Sequence, residues 1–255
     1  KNGKATGIVL DDGREYTAPV VVSALDPKRT FLELVDEEYL PGDFVSDIER
    51  FKIRGSSGKG NLSLSELPDF TCKPGVNQLH RGAISISPSI DYLERAYDEA
   101  KYGSFSSRPY MDIIIPSMID PGMAPPGKHV MSIFVQYAPS DLRGGWDETK
   151  REKFGDAVID TLAQYTPNLP DAILHRQVLT PWDIDRDMGL TNGNIFHGEL
   201  TLHQLFCMRP AVGYSDYTTP LRNYYQAGSG THPAGGITGA SGRLAALRIL
   251  ADAPR

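Results

Sequence analysis

Apolar residues keep three different rhythms along the chain, and each rhythm predicts a different kind of element. Near the start, "ATGIVL" (residues 5–10) and "REYTAPVVVSA" (14–24) are short apolar runs separated by Asp11-Asp12-Gly13. An Asp-Gly pair between such runs predicts a hairpin. Residues 19–23, "PVVVS", then read as a continuous apolar strand. In "ALDPKRTFLELV" the rhythm becomes helical. Asp26 is placed to cap, Pro27 sits where a missing N–H costs nothing, and Phe31, Leu34 and Val35 share one face.

From about Leu40 the pattern alternates. It predicts strands over 59–66, 80–87, 111–117, 128–137 and 173–180. Helices are predicted over 89–101 and 147–165, the second opening on acids and presenting Phe154, Val158, Ile159 and Leu162 on one side. After Arg209-Pro210 the rhythm changes again. Residues 222–227 predict a strand that runs into a glycine-dense turn, and 237–250 a helix. The two ends therefore share one style, strand, sharp turn and helix. The expected fold class is α/β (α+β), with a mixed or antiparallel sheet in the middle. The expected organisation has residues 1–38 and 216–255 in one α/β domain and 39–215 inserted as a second.

Composition narrows the function classes. The 255 residues carry a net charge of −6 with both signs interspersed, so no basic stripe suited to nucleic acid is present. Apolar residues are 40% and no run approaches the ~18–20 that a membrane helix requires. No basic stretch leads into an apolar one in the manner of a signal peptide. Cys72 and Cys207 stand far apart without a C-x-x-C, which excludes the usual zinc and dithiol patterns and makes a reduced, cytoplasmic compartment the expectation. The chain opens at Lys1, next to a hairpin, as a piece of a longer protein would.

The densest glycine run holds Gly228, Gly230, Gly235, Gly236, Gly239 and Gly242. Glycines permit positive φ, remove Cβ atoms and expose backbone N–H groups, and the following helix offers its positive end to an anion or a carbonyl. A plain turn needs one or two glycines, so the density favours a ligand over close packing alone. Gly236, Gly239 and Ala240 are expected on one helix face that packs tightly. Other features carry less. "GSSGKG" (55–60) lacks phosphate-loop spacing. His197 and His203 flank Glu199 without H-E-x-x-H, and suit hydrogen bonding within a domain junction, or a pocket wall with Phe196, Leu200, Leu202, Leu205, Phe206 and Met208, better than a metal site. Ser229 and Ser241 are candidate nucleophiles by type, but no G-x-S-x-G elbow surrounds Ser229, so a Ser–His–Asp hydrolase is weakly supported. In "TPWD" (180–183), Trp182 either packs at a domain edge or faces a ligand.

"YYQAGSGTHPAGGITGASGRLAA" (224–246) resembles the flavin-binding segment near the C-terminus of the phytoene desaturase-like flavoproteins of the amine-oxidase superfamily. "GIVLDDGREYTAPVVVSALDPKRTFLELV" resembles the stretch in which a hairpin and strand re-enter their FAD domain. "RGAISISPSIDYLERAYDEAKYG", "PYMDIIIPSMIDPGMAPPGKHVMSIFVQYAP" and "LTPWDI" resemble one subgroup, the pyridine nucleotide-disulfide oxidoreductase domain-containing proteins. The resemblance covers essentially the whole chain and implies a C-terminal piece of an FAD-dependent oxidoreductase. Residues 1–38 and 216–255 would then belong to a partial Rossmann-like FAD domain and 39–215 would form the substrate domain.

Carried over by position, the resemblance implies that Gly228, Ser229, Gly230, Thr231, His232, Pro233, Gly235, Gly236, Ile237, Thr238 and Gly239 line FAD. His232 is the candidate catalytic group, with fixing the loop as its other role. Ala234 departs from the usual glycine and is tolerated unless that position needs positive φ. A larger departure is the missing G-x-G-x-x-G with its downstream acid, which holds the ADP part. The chain alone is therefore expected to bind FAD weakly or not at all. Its expected partners are a hydrophobic small-molecule substrate and the missing N-terminal half of the FAD domain. Peripheral membrane contact is compatible with this reading, and nucleic acid is not expected. The implied reaction is hydride transfer between a substrate carbon and flavin. A non-catalytic flavoprotein or scaffold, and a lipid- or isoprenoid-binding module, stay open as alternatives.

Overall fold

A computed structural model describes residues 2–253. In chain order the elements are β1 (Gly7–Val9), β2 (Glu15–Thr17), β3 (Val21–Ser23), α1 (Gly42–Arg50), β4 (Ser57–Leu64), β5 (Ile84–Ile86), α2 (Ile90–Lys101), β6 (Tyr110–Ile114), β7 (His129–Gln136), α3 (Glu148–Ala163), α4 (Leu169–Ala172), β8 (Ile173–Leu179), α5 (Pro181–Met188), β9 (Tyr224–Gln226) and α6 (Ala240–Asp252). The fold is mixed α/β with antiparallel and parallel sheets. Residues 55–193 form one compact unit, and residues 1–54 with 194–255 form another.

In the 55–193 unit the alternating pattern becomes an antiparallel sheet in the order β5-β6-β7-β4-β8. Period-2 alternation sends Leu62, Leu64, Met111, Ile113, Met131, Ile133 and Val135 to one face, where all are buried. That face is covered by α3. Asp147 caps the helix by accepting from Lys150 N, and Phe154, Val158 and Leu162 descend onto the sheet. Burying each such side chain contributes about 1.5–3 kcal/mol. The close approach requires glycine at Gly58, where a Cβ would lie 2.5 Å from the Phe154 ring. The strand expected over 80–87 starts only at Ile84, because Asn77 caps a 3-10 turn over Gln78–Arg81. His80 is buried there with Nε2 2.8 Å from Pro68 O.

The "TPWD" cluster has a local explanation. Thr180 and Asp183 form a capping box on α5, and the 1% exposed Asp183 side chain also takes Arg151 and Arg186. Trp182 is partly exposed, with the Arg186 guanidinium 4.6 Å from its ring centre.

In the unit made by the two ends, β1 and β2 form the expected hairpin, and β3 lies parallel to β9 with Val21, Val22 and Ser23 opposite Tyr224, Tyr225 and Gln226. Asp26 Oδ1 accepts from Arg29 N, as its capping position predicts. The helix that follows widens to a π-helical turn over Arg29–Glu33 and stops there. Phe31 is therefore buried while Leu34, expected on the same face, is exposed. Helix α1 packs Phe44, Val45 and Ile48 with Phe31 and Tyr224, the Phe31 and Phe44 rings meeting edge-on at 4.9 Å. That packing keeps residues 39–54 with the chain ends. Residues 194–215 stay there too, through Ala211 in the same cluster and through Arg209. The divisions thus fall at 54/55 and 193/194, where the sequence suggests 38/39 and 215/216.

Candidate functional site

Strands β3 and β9 end side by side, and both turn there. In open parallel α/β sheets this carboxyl end is where ligands bind. Ala227 N donates to Ser23 O at 2.7 Å and holds the two turns together. Gly228 follows at φ +80°, and a Cβ there would lie 2.9 Å from Ala24 O. A Cβ on Gly230 would lie 2.8 Å from the Pro27 ring, and one on Gly235 would lie 2.3 Å from Phe196. These three glycines are thus explained by close packing against the protein's own residues.

The second half of the turn differs. A Cβ added at Gly239 would meet nothing within 4 Å, and one at Gly236 only the Thr238 methyl at 3.7 Å. Pro233, Gly236, Ile237, Thr238 and Gly239 are exposed. Ile237 has φ +56° and Gly239 φ +69°, so α6 begins at Ala240, three residues after the expected start. Gly236 and Gly239 therefore do not form the tight helix face expected of them. No side chain caps α6 through Gly239, and Ala240 N reaches only the neighbouring Thr238 hydroxyl at 3.2 Å.

Internal bonds fix the turn's shape. Thr231, fully buried, donates from Oγ1 to Gly228 O at 2.9 Å, and Ala234 N donates to Thr231 O at 2.7 Å. His232 presents its carbonyl to Tyr217 Oη at 2.9 Å and Ser241 Oγ at 3.3 Å. Its half-buried ring lies 5.6 Å from that of Phe206. The loop-fixing role is thus visible in its backbone. Ala234 adopts φ +79°, the condition under which a glycine is preferred there.

Two sets of polar groups are left over. The N–H groups of Gly228, Ser229 and Gly230 donate to nothing among the described residues, although Gly230 is buried. Gln226, 1% exposed, leaves Oε1 without a partner while its Nε2 donates to Leu25 O at 3.3 Å. Orphaned buried groups of this kind are rare and costly.

Behind the turn lies Arg209, which sequence reasoning does not single out as part of the site. Its side chain is fully buried and Nη2 donates to Ser229 O at 2.8 Å. Burial pushes its pKa down to about 10. The signal in the sequence is a lone cation inside the apolar run Phe206–Ala211. The His197, Glu199 and His203 cluster separates. Glu199 pairs with Arg54 at 2.7 Å, and although burial works against its charge, Arg54 holds it below its ordinary value. His203 meets Thr201, and His197 buries Nδ1 without a partner. No group of three His, Cys, Asp or Glu side chains among the described residues could hold a metal, and no described helix is long and apolar enough to cross a membrane.

No protein-family model matches the chain. It is 40% identical to the rat protein named pyridine nucleotide-disulfide oxidoreductase domain-containing protein 2, over 98% of this chain and 44% of that protein. It is 27% identical to a Paracoccus phytoene desaturase (lycopene-forming), over 98% of this chain and 48% of that one. Among solved structures, an oxidoreductase from Methanosarcina mazei matches 99% of this chain and 47% of its own with a TM-score of 0.56 at 19% identity, a likeness of fold. The chain thus spans less than half the length of the relatives it matches.

Proposed function

We propose that this chain, similar to pyridine nucleotide-disulfide oxidoreductase domain-containing protein 2 and to a phytoene desaturase, is the C-terminal part of an FAD-dependent oxidoreductase of the phytoene desaturase-like group. The observation that carries this reading is the Gly228–Gly239 turn, set at the carboxyl ends of two parallel strands and leading into the uncapped start of α6.

The residues present suit a flavin nucleotide. Three adjacent N–H groups at Gly228, Ser229 and Gly230 lack acceptors, as a nest for an electron-rich oxygen requires. Gln226 Oε1 lacks a donor, and FAD carries hydroxyl and imide donors. The open sides of Gly236 and Gly239 leave room for the approach of a large ligand, with Ser229, Thr231, His232, Pro233, Gly235, Ile237 and Thr238 completing the segment. FAD, when bound, would supply the two-electron chemistry of hydride transfer between a substrate carbon and the flavin.

The chain's own contribution is positional. Thr231, Tyr217 and Ser241 hold the turn's carbonyls inward, and its free N–H groups remain for the ligand. His232 has a ring without a hydrogen-bond partner among the described residues, so it is a side chain free to meet ligand or substrate. Its carbonyl accepts from Tyr217 and Ser241, which supports a part in anchoring the turn. The substrate is proposed to be hydrophobic, by analogy with the phytoene named for the Paracoccus relative.

The parent holds its cofactor with a further half-domain. A groove of about 580 Å³ along the free edge of β3, lined by Val21, Val22, Leu25, Leu34 and Tyr39, is apolar enough to be covered by it. Purification of the parent protein is expected to yield stoichiometric flavin absorption, and of the 255-residue chain little or none. A colourless parent that takes up no added FAD would overturn the proposal.

A further inference from the structure

Arg209 makes an unusual set of contacts. From Nε and Nη2 it donates to Ser229 O at 3.2 and 2.8 Å. Nη2 also reaches Phe196 O at 2.9 Å and Gly198 O at 3.4 Å, and Nη1 reaches Glu199 O at 3.2 Å and Gln204 O at 3.3 Å. The Phe51 ring covers the guanidinium, with centres 5.5 Å apart. Every acceptor is a backbone carbonyl, and no carboxylate among the described residues pairs with the charge. A fully buried cation without a counter-charge costs several kcal/mol to desolvate. A hydrophobic side chain of similar volume would fill the space without that cost, so stability alone does not account for an arginine here.

The geometry of one peptide accounts for it better. Ser229 C=O and Gly230 N–H belong to the same peptide plane and point in opposite directions when the bond is trans, as it is here. By drawing the Ser229 carbonyl toward itself, Arg209 turns the unpaired Gly230 N–H away from the guanidinium, free for a ligand's acceptor. Its charge lies directly behind that N–H, in a medium that screens poorly.

We propose that Arg209 is the positioning residue of this turn: it aims the Gly230 N–H at an electron-rich oxygen of bound FAD and adds a fixed positive charge behind it. The proposal rests on the flavoprotein reading above. An added positive field favours the more negative, reduced cofactor, so Arg209 should raise the flavin's reduction potential as well as its affinity.

The test uses the parent protein with Arg209→Gln, which keeps two donors without charge, and Arg209→Lys, which keeps a cation without the fork. FAD dissociation constants are measured by fluorescence quenching and midpoint potentials by dye-coupled reduction. Near-UV circular dichroism reports the fold. Arg209→Gln is expected to weaken FAD binding about tenfold or more, the effect of one lost charge-assisted hydrogen bond, and to lower the potential. Arg209→Lys is expected to recover part of both. A folded Arg209→Gln protein with wild-type affinity and potential overturns the proposal and leaves the flavoprotein reading standing. Weaker binding at an unchanged potential, with lysine no better than glutamine, makes the role merely structural and also overturns it. So does failure of both variants to fold. A wild-type parent that binds no flavin removes both readings together.

Discussion

The two units hold themselves together by different means. Residues 55–193 set five antiparallel strands against α3, and the buried layer is Leu, Ile, Val, Met and Phe at alternating positions. The unit from the chain ends has a two-stranded parallel pair, a smaller aromatic cluster around Phe31 and Phe44, and a buried polar set of Ser23, Asp26, Thr30, Arg209, Gln226 and Thr231. An apolar layer needs volume and pattern and tolerates substitution when both are kept. A buried polar set needs each partner in place, because an unmet group in a poorly screening interior is costly. The first arrangement suits a scaffold. The second spends stability on the geometry of one turn, which is where the free N–H groups and the unpartnered Gln226 Oε1 are found.

The contrast is tested most severely at Phe154. Phe154→Ala removes a fully buried ring from the layer between α3 and the sheet and is expected to cost about 3–5 kcal/mol, read as a lower urea midpoint. Next in size is Gly58→Ala. It pushes a methyl against the Phe154 ring and should cost about 1–3 kcal/mol in the same assay, with no effect on FAD affinity in the parent. If either change altered the flavin before it altered stability, the scaffold role assigned to this unit would be wrong.

In the other unit the sign can reverse. Ile237 is a fully exposed β-branched residue at φ +56°, so Ile237→Gly relieves backbone strain that exceeds the added entropy of the unfolded chain. A gain of about 0.5–1 kcal/mol is expected in thermal melts. A loss would mean that the Ile237 side chain contributes to stability despite its exposure.

The smallest expected effect is on pH dependence. Burial is the main cause holding His197 below its ordinary value of 6.5, with Asp26 pulling it up and Arg209 pushing it down. The unfolded chain therefore binds the proton more readily than the folded one just below pH 6.5. Stability from this group is present above 6.5 and declines as pH falls toward the folded value. His197→Asn, a residue that tolerates the local φ of +55°, should flatten the decline between neutral and mildly acidic pH, measured by denaturation at several pH values. An unchanged slope would assign the decline to other groups.

Much of the fold is legible in residue order, and the reason is local. The hairpin at Asp11-Asp12-Gly13, the cap at Asp26, the five strands of the middle region and the two long helices follow from residue spacing and turn chemistry within a few positions. The candidate turn is legible as well, because glycine density is a local property. Leu34 is not, because a regular helical period places it beside Phe31, whereas a π-helical turn rotates it into solvent. Residues 39–54 and 194–215 read as part of the middle because nothing in their pattern says what Phe44 or Arg209 will touch.

Residue order alone thus sets the element types, the strand–turn–helix form of the two ends, and the turn at Gly228–Gly239 as the place to look. Which glycines serve which purpose depends on the folded chain. Gly228, Gly230 and Gly235 make room for Ala24, Pro27 and Phe196, while Gly236 and Gly239 face open space. Folding likewise brings Arg209 behind the turn and delays the start of α6 to Ala240. The physical reason is distance along the chain. A glycine's neighbour, or a buried cation's set of carbonyls, comes from segments as far apart as Ala24 and Gly228, and no local pattern records which of them will meet.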